Sequence, residues 1–211
     1  MNTHLRSGSA YRLNSILSII GACLIAIPLS SATKQGLARA YAKPSLDYLR
    51  AETPTDLSVE KLKSHLENLK HAHRLAPTNA TNSAAIAKLH QVWLDNFLVS
   101  LDINELLQHS ETATFFLRKS IELQPVSPEY WADLALELSR RGRSSSAEFG
   151  YALQNAARFS TSRQDVQQRV IRLGDDAGDT LSSNAREAVE KLIKRPPARQ
   201  SVVLPVGVGL K

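Results

Sequence analysis

Leu117 to Phe159 reads LRKSIELQPVSPEYWADLALELSRRGRSSSAEFGYALQNAARF, and its spacing decides the fold. Apolar side chains recur at three- and four-residue intervals on both sides of a break at Pro125, which is the period of an amphipathic helix. Ser127 is an N-cap type and Pro128 suits a first helical position, because its fixed φ is already helical and its missing N–H has no partner there. Gly142 stands where a helix stops. The stretch therefore reads as the end of one helix, a proline turn, and a pair of helices joined by a basic, hydroxyl-rich turn.

The same pattern extends outward. Helices are predicted over Ser58–Leu75, Ser83 to about Leu106, Thr112–Leu123, Pro128–Arg141, Ser145–Phe159, Ser162–Leu173 and Ser182–Lys194, with Ser58 and Ser162 as further N-cap types and Gly174 as a further stop. No alternating run is long enough for a strand, so the fold class is all-α. Laid over each other at an offset of 48 residues, LKHAHRLAPTNATNSAAIAKLH (Leu69–His90) and LRKSIELQPVSPEYWADLALEL (Leu117–Leu138) match. Leu75 and Pro77 fall on Leu123 and Pro125, and Ile86-Ala87 on Leu134-Ala135. Such helix–turn–helix units bury their apolar faces against neighbouring units.

Counted from Pro128, the residues Trp131, Leu134, Ala135, Leu138, Gly142, Ala147 and Tyr151 fall where a tetratricopeptide repeat places its large, small and turn residues, so this segment resembles that 34-residue unit. The small Ala135 and Ala147 let two helices approach, with Trp131 and Tyr151 filling the space beside them. About two and a half divergent repeats are expected, an α-hairpin solenoid over residues 44–195.

The P-x-x-W-A-x-L-A-L core of Pro128 to Leu136, the Ala147-Glu148-Phe149 segment and the LKHAHRLAP turn together are similar to VpsP-like polysaccharide biosynthesis accessory proteins. The similarity spans roughly residues 55 to 195, with departures at Asp102–Ser110, read as a loop, and at Arg140–Ser146. It implies a non-enzymatic partner in exopolysaccharide assembly or export, anchored in the inner membrane.

The sequence supplies such an anchor. LNSILSIIGACLIAIPLSSA, Leu13 to Ala32, carries no charge over twenty positions, and a helix of that length spans about 30 Å, the hydrocarbon thickness of a bilayer. A single-pass signal anchor in residues 1–43 is the favoured reading. Ser30-Ser31-Ala32 also offers a cleavage site for a signal peptidase, and either reading exports the rest. Flanking charges are nearly balanced. A short tail before a first apolar helix ordinarily stays cytoplasmic, which places the helical domain in the periplasm. Residues 196–211 read as an extended C-terminal tail.

Composition narrows the function. The 211 residues include one Cys, nine Gly and nine Pro, which excludes a disulfide scaffold and a low-complexity chain. The net charge of +6 is not gathered into a basic patch with interleaved aromatics, so nucleic acid is not an expected partner. The sequence has no nucleophile, zinc or phosphate-loop motif, and no enzyme activity, cofactor or metal is expected. His71 and His73 are two apart on one helix and face different ways. Asp175, Asp176 and Asp179 lack calcium-loop spacing and read as helix-start carboxylates. Glu187 and Lys191 make an exposed i,i+4 pair. Arg140, Arg141 and Arg143 have the chemistry to grip acidic glycan or a partner's carboxylates, against the plainer reading of a solvated helix end.

The first helix of a tetratricopeptide unit lines the concave surface, so Glu129, Ala132, Leu136, Ser139 and Arg140 are the expected partner-facing residues. The partners expected are the membrane and proteins of a polysaccharide assembly or export machine. A tetratricopeptide-like scaffold of a secretion or pilus system is the alternative.

Overall fold

The computed structural model describes residues 32–51 and 57–194, and among these every regular element is helical. In chain order they are α1 (32–50), α2 (Val59–Leu75), α3 (Ala80–Phe97), α4 (Ile103–Leu123), α5 (Pro128–Arg140), α6 (Ala147–Phe159), α7 (Gln164–Ala177) and α8 (Ser183–Ile193). The chain forms two compact units, Met1–Trp93 and Leu94–Lys211, with the boundary inside α3.

In the first unit, Ala38, Ala42 and Ser45 form a buried stripe of small side chains along α1, opposite Leu62, Leu66, Leu69 and Ala72 of α2. The two helices run antiparallel: Tyr41 meets His71 and Tyr48 stacks on His65, each with ring centroids 4.4 Å apart. Ser45 Oγ donates to the His65 carbonyl at 3.2 Å and lies 3.1 Å from its Nδ1. Helix α1 passes straight through Pro44, where the sequence suggested the anchor would give way to the domain. Burial of Ala42 and Ser45 on either side of Pro44 outweighs the hydrogen bond that proline removes.

The proline turn recurs as the sequence repeat implies. Ala76 and Gln124, which close α2 and α4, have φ/ψ of −136°/72° and −144°/74°. Ala76 N donates to Ala72 O and Asn79 N to Ala76 O; at the same offset Gln124 N donates to Ser120 O and Ser127 N to Gln124 O. A third turn, with Ser160 N to Ala156 O and Arg163 N to Ser160 O, repeats the bonding without a proline.

In the second unit α5 packs on α4, α6 and α7, and α8 packs on α6 and α7. The α5–α6 hairpin thus touches the α7–α8 hairpin through both of its helices, the arrangement of a helical solenoid. The core is Leu117 and Ile121 of α4, Leu134 and Leu138 of α5, Phe149 and Leu153 of α6, Val166 and Val170 of α7, and Val189 of α8.

Several boundaries differ from the sequence reading, each for a physical reason. The single helix expected over Ser83 to Leu106 is broken by the turn Leu98–Leu101, and Asp102–Ser110 is helix rather than loop. Asp102 Oδ1 accepts from Asn104 N and Glu105 N at 2.7 and 2.9 Å, and Glu105 Oε2 accepts from Asp102 N at 3.1 Å. This reciprocal cap starts a new helix whose first turns are exposed, so no apolar period announces it. Gly174 does not stop α7. A Cβ there would lie 2.9 Å from Val189 Cγ2, so glycine lets α7 and α8 touch. The helix ends instead at Gly178, with φ 52°. Arg163 rather than Ser162 is its N-cap, and Asp175 and Asp176 fall in its last turn rather than at a helix start.

Among the described residues no helix is long and apolar enough to cross a membrane. The apolar stretch from Leu13 lies, apart from Ala32, outside the described residues, as does the 196–211 tail.

Two histidines give the fold a pH dependence. Partial burial lowers the pKa of His65, with Lys61 adding to the effect, and burial lowers that of His109 against an opposing pull from Glu105. Both bind a proton less readily folded than unfolded, so stability is full above about pH 6.5 and falls as the pH drops below it. Thermal melts from pH 7.5 to 5.5 are expected to show a falling Tm, flattened in His65→Asn. A Tm that rises over this window contradicts the assignment.

Candidate functional site

The first helices of successive hairpins are tied side by side through their charges. On α5, Glu129, Asp133, Leu136 and Arg140 recur at three- and four-residue spacing and so share a face. Arg163, at the start of α7, pairs with Glu129 across 34 residues of sequence, and Arg169 of α7 pairs with Asp133. On the other side Arg140 Nη2 reaches Asp95 of α3 at 2.5 Å. The second helices are tied likewise: Arg118 of α4 makes a bidentate bond to Glu148 of α6 at 2.7 and 2.9 Å. That bond holds the Glu148 carboxyl below its ordinary pKa, with Arg143 and Arg141 adding to the pull.

Below this face lies a buried charge. Glu137 is 0% exposed. Its Oε1 accepts from Arg140 Nη1 at 2.8 Å, and its Oε2 accepts from Ser110 Oγ of α4 at 3.4 Å. Arg140 thus bridges a buried and an exposed carboxylate, and a charge sunk in a helical interface is tolerated only with such partners. The sequence reading passed over Glu137, which sits beside Leu138 in an otherwise apolar stripe. A charged residue at a core position of the helical period was the available signal.

The five residues expected to face a partner are therefore not equivalent. Ala132 is fully buried and is not partner-facing; its small side chain lies where neighbouring helices close on α5. Glu129 is held by Arg163 and by Ser127 Oγ, which donates at 2.8 Å instead of capping α5. Arg140 is held as described. Leu136 and Ser139 are half-buried on this face, with Ser139 Oγ accepting from Ser144 Oγ at 3.2 Å.

Arg141 and Arg143 also have carboxylates of their own chain, Glu111 at 3.4 Å and Glu148 at 3.7 Å. The basic turn is thus a solvated helix end whose arginines pair with carboxylates of their own chain. His71 and His73 diverge, the first bonded to Arg74 and the second to Ser83 across the α2–α3 turn. Among the described residues no group of three His, Cys, Asp or Glu side chains could hold a metal. Glu187 and Lys191 form their expected pair at 2.5 Å.

No protein-family model matches the chain and no curated protein matches it. Among solved structures it is similar to the crystal structure of MamA, with a TM-score of 0.50 and 15% identity over 74% of this chain and 76% of that one. It is also similar to a human IFIT1 dimer with PPP-AAAA, with a TM-score of 0.45 and 15% identity over 74% of this chain and 38% of that one. At such identity the likeness to MamA speaks for the fold alone, and the fold is a tetratricopeptide-like helical solenoid.

Proposed function

We propose that this chain is a non-enzymatic adaptor that gathers protein components of an exopolysaccharide biosynthesis or export machine at the inner membrane. Residues 13–32 hold it there, and its helical domain works on the periplasmic side. The single observation that carries the binding role is the first-helix face of α5 and α7. There Leu136 and Ser139 lie half-buried between ion pairs whose arginines are part-exposed and can exchange their carboxylates for a partner's. The polysaccharide setting rests on the resemblance of Pro128–Leu136 and Ala147–Phe149 to VpsP-like proteins. Tethering beside a membrane raises the effective concentration of partners, so modest contacts suffice.

The test is in-cell crosslinking and pull-down in detergent, followed by mass spectrometry. Recovery of a polysaccharide polymerase, chain-length regulator or glycosyltransferase is expected. Secretion or pilus components in their place overturn the polysaccharide assignment, and turnover of a glycan by the purified chain overturns the non-enzymatic one.

A further inference from the structure

Between α6 and α8, the second helices of the last two hairpins, lies an open groove of about 300 Å³. Ala157, Ala188 and Leu192 give it an apolar floor. The amides of Gln154, half-buried, and Asn184, exposed, also line it. On its rim Glu187 pairs with Lys191, and Arg158 adds one positive charge. A groove with an apolar floor flanked by two amides suits an extended, aliphatic peptide, whose backbone supplies donors and acceptors for those amides and whose carbonyls can also face Arg158.

The chain itself carries such a peptide next to the groove. Helix α8 ends at Ile193, one residue past Leu192 on the groove floor. Beyond Lys194 the sequence reads RPPARQSVVLPVGVGLK, in which Val202, Leu204, Val206, Val208 and Leu210 alternate with other residues. On an extended backbone, alternation sets all five on one side. Pro205, Gly207 and Gly209 disfavour a helix there. The eight residues from Lys194 to Val202 can reach about 25 Å, more than the roughly 16 Å length of α8. A segment tethered this close meets the groove at an effective concentration in the millimolar range, about what a two-residue contact needs.

We propose that the segment around Val202–Leu204 folds back onto its own chain and occupies the α6–α8 groove, with Val202 and Leu204 on Ala157, Ala188 and Leu192. It acts as a clasp that ties the last hairpin to the one before.

The test uses the full chain in detergent with Cys23→Ser, Asn184→Cys and Ser201→Cys. Mild oxidation is expected to give a disulfide in most molecules, running as a monomer at every protein concentration. Absence of the disulfide overturns the proposal, and so does one formed only between chains and rising with concentration, which marks a second copy as the occupant. Hydrogen exchange supplies a second readout that leaves the helical core untouched. Leu204→Asp is expected to speed exchange in α8 by about tenfold while α5 stays unchanged. Equal α8 exchange in the two proteins contradicts the clasp.

Discussion

Trp131→Ala is expected to destabilise the second unit by about 3–5 kcal/mol, because it empties a buried aromatic site in a repeat that cannot collapse around the loss. Trp131 is 9% exposed and meets Tyr151 of α6 edge-on, with ring centroids 5.4 Å apart. Its Nε1 also donates to the Pro125 carbonyl at 2.7 Å. The indole therefore joins the hairpin α5–α6 to the proline turn that delivers α5 from α4. Trp131→Phe keeps most of the ring contact and loses that hydrogen bond, and about 1 kcal/mol is expected. Chemical denaturation of both variants in detergent reads the difference. A midpoint unmoved by alanine shows that this residue does not organise the repeat.

Arg140→Met is expected to be as costly, for an electrostatic reason. The fully buried Glu137 carboxylate keeps Ser110 at 3.4 Å but loses its guanidinium at 2.8 Å. Removing one partner of a buried ion pair costs about 3–5 kcal/mol, whereas replacing both with apolar groups of similar size is near neutral. Arg140→Met with Glu137→Leu is therefore expected to recover most of the stability that Arg140→Met loses. A fully stable single variant shows instead that Arg140 is a partner contact with no structural part, as its place on the helix face first suggests.

The α5–α6 hairpin was legible because local rules agree there: Pro128 opens α5, Gly142 at φ 66° closes it, and Trp131, Leu134 and Leu138 keep one period. The 48-residue repeat was legible because its turn has the same bonding at Ala76 and Gln124. What escaped depends on partners distant in sequence. Gly174 looks like a stop until Val189 is seen against it. The ties from Arg163 to Glu129, Arg169 to Asp133 and Arg118 to Glu148 link residues about one repeat apart, where no local pattern points. The start of α4 was written in Asp102 and Glu105 alone, since its first turns bury nothing that a hydrophobic period could reveal. Of the five residues read as partner-facing, the burial of Ala132 and the ion pairs that hold Arg140 were not legible, since both depend on helices distant in sequence.

The most direct test of an adaptor working through its first-helix face is site-specific photocrosslinking in cells, with the crosslinking residue at Leu136 and, as a control on the second helices, at the exposed Phe115 of α4. Adducts to another envelope protein from Leu136, and none from Phe115, are the expected result. Adducts from Phe115 alone, or from neither position, contradict the account.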